Sequence, residues 1–544
     1  MRLRGALAAV VAVAALGGCS HFGPGGSTGA QGAGPIAGTL RFAGLDDVAS
    51  LNPLLREQAA GTDIDMLVFG FFFNLDDKMR FVPELATQVP SYANGGISPD
   101  GLTITYHLRK SVKWQDGASF TARDVVFTVG AILNPRNNVA ARVGWDDIAS
   151  VDAVSDWEVR FHLKKIYAPA ISTFFCESGL YPVLPAHVLA RYPDINHVPF
   201  NTHPIGTGPF KFVQWVPGDR IELAASENYW RGRPKLDRIV YKIVPDAGEI
   251  VDALKTRQVD AWFRAPPDFY GRLHDLGGYR VFASPSLAYA HLDLNQRNPA
   301  FDDVRVRQAI NYSIDKRAII REALHGLADP AASDISPLSW AFEPHTMRYS
   351  YDPGKARELL AQAGWVPGPD GVLEKDNKRL AFSLSAVSGA ATAQAIENML
   401  QQQLTRAGFA VTIKNYPGDR FFAPYAQGGV LYRGQYDAAL FSWVAGVDPD
   451  DSSEYMCEQI PPAGQNDLYW CDSTLGAAER AALSTYDRPE RKKYYAITQA
   501  ELASQSVTVF LYFARQVSVV TPVLRGYAPA PAISNTWNAW EWST

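Results

Sequence analysis

Two short stretches of the chain carry spacings that nucleophilic enzymes use. Gly25-Gly26-Ser27-Thr28-Gly29 fits G-x-S-x-G, the turn that lifts a serine above a sheet to attack an acyl group. Ser313-Ile314-Asp315-Lys316 fits S-x-x-K, the spacing of penicillin-binding enzymes. The first chemistry needs a strand before the serine and a helix after it. Residues 20 to 36 are instead dominated by Gly, Ser, Ala and Pro, which bury too little apolar surface to offset chain entropy. The second match lies inside an amphipathic helical pattern, and neither S-D-N nor K-T-G occurs in the chain. The stretch "GTGPF" at 206–210 lacks the third glycine of a dinucleotide loop and reads as a tight backbone turn. The ten histidines include no H-x-H or H-x-x-x-H pair, which argues against a metal cage. No pair of carboxylates stands out for acid–base work. The residues therefore predict a protein that is not an enzyme and carries no cofactor or resident metal.

The four cysteines are Cys19, Cys176, Cys457 and Cys471. Cys457 and Cys471 bracket "CEQIPPAGQNDLYWC", and a disulfide there would close a loop of about 15 residues, worth roughly 3 kcal/mol in the chain-entropy model. A metal site is the alternative, but no second Cys/His pair sits nearby. Cys176, in "STFFCESG", reads as a buried free thiol.

Composition bounds the rest. The 544 residues are 47% hydrophobic and 20% charged, enough for two or three cores. The formal net charge of -5 gives no electrostatic footprint for nucleic acid. Aromatic residues make up 12% of the chain, and aromatics line ligand pockets as well as cores.

The elements that must position any site are legible. Arg2 and Arg4 precede an apolar run from Ala6 to Leu16, shorter than the roughly 20 residues of a membrane-spanning helix. With Gly17 and Gly18 before Cys19, it reads as a secretory signal, and residues 20 to 36 as a flexible tether. "LTITYHL" alternates Leu102, Ile104, Tyr106 and Leu108 on one strand face. Asp116-Gly117 marks a turn. "FTARDVVFTVGAIL" starts a helix with Thr121 as N-cap and Asp124 three residues on. "YDPGKARELLAQAG" is a helix capped by Asp352, with Pro353 in its first turn and Gly364 at its end. "RIVYKIV" at 238–244 reads as a strand, followed by a helical "GEIVDALKTRQ" and an extended "VDAWF". Alternation of helix and strand patterns predicts an α/β body.

Several blocks carry a resemblance. Leu16-Gly17-Gly18-Cys19 resembles the bacterial lipobox, in which the cysteine is lipidated. "YHLRKSVKWQDGASFTARDVVFT" resembles the signature of family 5 extracytoplasmic solute-binding proteins, the peptide- and nickel-type receptors of ABC importers, with Leu108, Arg109, Val112, Asp116, Gly117, Phe120, Ala122, Asp124 and Val125 at the matching positions. Ser111 and Trp114 depart from that pattern. The block from Pro204 to Val244, the segment "FDDVRVRQAINYSIDKRAII" and "YDPGKARELLAQAGW" are similar to further family blocks, in the same order.

The resemblance implies a two-lobe α/β periplasmic binding protein of type II, cluster C, with an extra subdomain inserted in lobe I. The expected division is a signal peptide over 1–19, a tether over 20–36, lobe I over 37–285 with the insertion at about 65–190, lobe II over 286–510, and a return to lobe I over 511–544. "SPSLAYAHLDLN" and "SQSVTVFLYFARQ" are the expected hinge crossings. It also implies a lipid-anchored monomer, periplasmic or at the cell surface, that delivers a peptide or other small solute to permease subunits. An oligosaccharide or metal chelate is the alternative solute.

Site residues follow in part from the family. Dipeptide receptors bind the peptide ammonium through an Asp after a G-W pair; here Trp443 matches the Trp, while Ala445-Gly446 falls where the Asp is expected. Asp448, Asp450 and Asp451 follow, readable as a solvated turn. The stretch matching the carboxylate-binding Arg, "VSGAATAQAIENML", holds no Arg. Arg420 is the candidate replacement, Asp448 the candidate acidic contact, and Asn52 a candidate donor to the ligand backbone. Tyr289, Trp262, Trp340 and Trp443 are the candidate cleft aromatics.

Overall fold

A computed structural model describes residues 34–56, 59–531 and 534–544; the expected signal, Cys19, Ser27 and most of the expected tether lie outside them. Among the described residues no helix is long and apolar enough to cross a membrane.

One mixed sheet runs through the molecule. Its strands lie in the order 410–413, 381–385, 438–444, 280–294, 508–520, 261–265, 39–44, 238–243, 220–225, 210–216. Strands 39–44, 238–243 and 261–265 pair in parallel, as do 381–385, 410–413 and 438–444. The two halves of the sheet line different hydrophobic cores. Leu40, Phe42, Ile221, Ile239 and Phe263 belong to a core that also takes in Val520 and Trp542 near the C-terminus. Leu292, Leu384, Val411, Leu440 and Val509 belong to a second core with the helices Val304–Ser313, Pro353–Gln362 and Ala391–Arg406.

Two long strands, Arg280–Leu294 and Thr508–Val520, join the halves. They are antiparallel partners, and both sequence-expected crossings fall on them. Arg280–Pro285 pairs with Arg515–Val520, Tyr289–Asp293 with Thr508–Phe513, and the ladder breaks between Pro285 and Tyr289. Proline has no N–H to give a ladder. Ser286 fills the break: its Oγ donates to the Ala514 carbonyl and accepts from Ala288 N–H.

A separate three-stranded antiparallel sheet is built from Thr103–His107, Glu158–Leu163 and Ile148–Ser155. Ile104, Tyr106, Val159 and Phe161 share the first core. The adjoining helix Ala122–Leu133 has the expected capping box: the Thr121 N–H donates to Asp124 Oδ2 at 2.8 Å. Asp124 also accepts from Ala186 N–H, which docks the chain at 186 onto this helix.

The structure departs from the local sequence pattern at the S-x-x-K segment. The segment 301–320 is two helices, Val304–Ser313 and Lys316–Glu322, because the Asp315 side chain accepts from Ala318 N–H and starts a new helix. Ser313 and Lys316 therefore sit on different helices; Ser313 Oγ donates to the Ala309 carbonyl and Lys316 Nζ to the Ala331 carbonyl. "GTGPF" bends the chain at 207–209, as expected, and is also a close approach. A Cβ on Gly206 would lie 1.8 Å from the Val68 carbonyl oxygen, and one on Gly208 2.6 Å from the Val68 carbonyl carbon.

Candidate functional site

Period-two alternation along Arg280–Leu294 sends Ala290, Leu292 and Leu294 into the second core. It sends Tyr289, His291 and Asp293 to the opposite face. Their cross-strand neighbours are Trp443, Phe441 and Ala439 on one side and Phe513, Phe510 and Thr508 on the other. The polar residues of this face are thus set in an aromatic frame. The His291 ring meets Phe441 edge-on at 4.3 Å and lies 5.0 Å from Tyr289.

Two cavities open over this face. The first, about 20 Å³, is lined by His291, Asp293, Tyr432, Trp443, Glu454 and Asp467, with Phe422 and Phe441 among its aromatic walls. The second, about 30 Å³, is lined by Tyr289, Asp334, Trp443, Asp450, Asp451 and Glu454, with Ala445 and Gly446 also in its lining. Trp443 and Glu454 line both. Glu454 and Tyr455 come from the short helix Ser452–Tyr455. Gln465, Asp467 and Leu468 come from the loop closed by the Cys457–Cys471 disulfide, whose Cα atoms are 4.7 Å apart. Inside that loop the Asn466 amide donates to the Met456 and Trp470 carbonyls. Cys176 is buried and unpaired, and burial pushes its thiol up to about 12.

Carboxyls dominate the electrostatics. Neither Lys nor Arg lines either cavity. Burial pushes Asp293 up to about 7 and raises Glu454 and Asp467 well above the carboxylate range. Glu454 accepts from the Tyr289 hydroxyl at 3.0 Å. Burial drives His291 down to about 3, so its imidazole is neutral. In the wall of the second cavity, Asp451 is raised by burial and by Glu479 and Asp334 beside it. The nearby guanidinium of Arg491 is engaged by Asp448, with N–O distances of 2.7 and 2.5 Å.

The sequence-expected residues separate accordingly. Trp443 and Tyr289 line the cavities. Asp448 is not a free acidic contact but the partner of Arg491. Trp340 packs on Tyr495 at 5.9 Å with the Arg488 and Arg491 guanidiniums over its ring, outside both cavities. Trp262 is buried in a core of Ile250, Val251, Leu273 and Val519, because its strand is flanked on both sides within the sheet and covered by the helix Ala247–Lys255. Asn52 is fully buried and caps a 3₁₀ turn: its Oδ1 accepts from Leu54 N–H and its Nδ2 donates to Asn201. Arg420 is exposed and lies over Tyr416 at 5.2 Å, away from both cavities. The turn expected to be solvated carries Asp451 at only 5% exposure.

Sequence reasoning missed His291, Asp293, Glu454 and Asp467. A signal for the first two existed: "YAHLDLN" places polar side chains at every second position of an otherwise apolar strand. Glu454 and Asp467 carried none, since their convergence depends on the disulfide loop folding over the strand.

The chain matches a family model over residues 80–459, described as bacterial extracellular solute-binding proteins, family 5 Middle. It is 28% identical over 515 residues to the oligopeptide-binding protein AppA of Bacillus subtilis, covering 93% of this chain and 91% of that protein. Among solved structures, NikZ of Campylobacter jejuni in complex with Ni(L-His) is 29% identical with a TM-score of 0.76, covering 94% of this chain and all of that one. AppA of B. subtilis in complex with a nonapeptide is 27% identical with a TM-score of 0.73, covering 93% and 98%.

Proposed function

This chain belongs to the bacterial extracellular solute-binding proteins of family 5, and from that premise we infer that it captures a peptide longer than two residues and delivers it to the permease subunits of an ABC importer. One observation carries the reading. Two cavities share Trp443 and Glu454 at the place where Arg280–Leu294 and Thr508–Val520 pass from one core to the other. Two antiparallel crossings with a break at Pro285 suit closure about a hinge, in which a few residues absorb the dihedral change. The lobes of this reading are 37–285 with 511–544, and 286–510.

A zwitterionic dipeptide needs both termini neutralised, because a buried unpaired charge is costly. Ala445 and Gly446 offer no charge at the ammonium position, and residues 387–400 offer no Arg. A longer peptide is held by backbone hydrogen bonds and aromatic walls instead. Native mass spectrometry of the protein as purified, followed by calorimetry with dipeptide, longer-peptide and oligosaccharide panels, tests this. Longer peptides bind, and Trp443→Ala costs about 2 kcal/mol or more of that binding, as aromatic anchors do. Micromolar or tighter binding of simple dipeptides, insensitive to Trp443→Ala, overturns the reading.

The same reading makes the protein a monomer tethered by lipid on Cys19. Replacing Cys19 with Ser releases it from membranes into the soluble fraction; unchanged membrane association refutes the tether.

A further inference from the structure

The first cavity is built for charge of one sign. Asp293 comes from a sheet strand, Glu454 from a short helix and Asp467 from the disulfide loop, so three separate elements bring carboxyls to one wall. Asp293 and Asp467 are buried and Glu454 is half-buried, and the residues lining the cavity supply no cation to answer them. A second observation is independent of the acids. His291 is 3% exposed, lines the same cavity, and neither ring nitrogen has a hydrogen-bond partner; the nearest carboxylate oxygen, Asp293 Oδ2, is 3.6 Å from Nε2. Unpaired polar atoms buried so deeply are rare in folded proteins and call for a partner. Trp443, Tyr432, Phe441 and Phe422 complete the walls, and aromatic faces attract cations.

Among the described residues no group of three or more His, Cys, Asp or Glu side chains is arranged to hold a metal ion. The chemistry that remains is an organic cation, with N–H groups to donate and a flat or tetrahedral charged head to sit among aromatic faces.

We propose that this cavity, about 20 Å³ as it stands, widens to receive a guanidinium or ammonium side chain of the bound peptide, seated between Asp293, Glu454 and Asp467 and donating to His291, and so selects peptides that carry arginine or lysine. The proposal rests on the peptide reading above. The neutral imidazole acts as acceptor toward the cation, which a protonated histidine could not. Entry of a positive group lets carboxyls that burial keeps protonated ionise against it, so binding expels protons into the medium.

The test is calorimetry of the whole mature protein with nonapeptides of alanine, serine and glycine carrying one arginine, its neutral isostere citrulline, or glutamate at each position in turn. At one position arginine binds at least about 30-fold tighter than citrulline, the scale of a desolvated charge pair. Heats measured in buffers of different ionisation enthalpy show protons released with arginine and none with citrulline. Glu454→Gln and, separately, Asp467→Asn shrink the ratio of arginine to citrulline affinity to about threefold or less. Peptides that bind with no preference for arginine over citrulline, or that favour glutamate, overturn the pocket and leave the peptide reading standing. If no peptide binds but spermidine or arginine amide does, with loss in Glu454→Gln, the pocket stands and the peptide reading falls. Failure of every probe to bind overturns both.

Discussion

Asp448→Ala lowers the unfolding free energy by about 3 to 5 kcal/mol, the cost of leaving a buried charge unpaired. The stranded charge is Arg491. Its side chain is 3% exposed, and Asp448 engages both terminal nitrogens of its guanidinium. Arg491 also donates to the Ala482 carbonyl and the Tyr495 hydroxyl, so the pair fastens the turn after strand 438–444 to the helices Ser473–Leu483 and Arg488–Gln505. Trp340, the aromatic expected in the cleft, roofs this pair. Denaturant unfolding followed by fluorescence measures the loss. A loss below about 1 kcal/mol, the worth of an exposed pair, contradicts the account. Removing both charges with Asp448→Ala and Arg491→Met recovers part of the deficit, because a buried pair replaced by apolar groups is often neutral.

Stability toward denaturant falls as the pH is raised from about 5 to about 8, the reverse of a protein held by carboxylate salt bridges. Asp334, Asp451 and Glu479 meet at 4%, 5% and 0% exposure and come from a loop, a turn and a helix. The titratable and charged groups facing them are Asp450, Glu454 and Arg491, with neutral His291 beyond Asp334, and Arg491 is already engaged by Asp448. Burial pushes Glu479 up to about 8 and Asp293 up to about 7, and raises Asp451 well above the carboxylate range. An acid whose pKa is raised by folding binds its proton more tightly folded than unfolded. Its stabilisation is complete below the ordinary carboxylate value near 4 and is lost as the pH climbs through 7 to 8. Glu479→Gln keeps a neutral group in place and flattens the profile, gaining roughly 2 to 4 kcal/mol over the native protein at about pH 8. Stability that is level or rises across this window refutes the protonated cluster.

The sequence by itself determined the elements and the family. Thr121 with Asp124 and Asp352 with Pro353 start helices where their cap chemistry places them, and Gly364, at φ +88°, ends one. These signals act within a few residues, so no distant contact is needed to read them. The two crossing strands were legible for the same reason, since a period of two survives any packing. Only the tertiary structure decided which aromatic lines a cavity and which became core. Trp262 and Trp443 both lie on strands, but Trp262 is paired on both sides, with Ala43 and Val519, and covered by a helix, while Trp443 is paired only with Tyr289 and faces two cavities. The acidic turn at 448–451 was likewise undetermined locally. Its three aspartates look like a solvated turn until Glu479, Asp334 and Arg491, none of them near in sequence, close over them and remove the water. Burial of a charge is a property of what arrives from elsewhere in the chain, and the side chain's own neighbours in sequence carry no record of it.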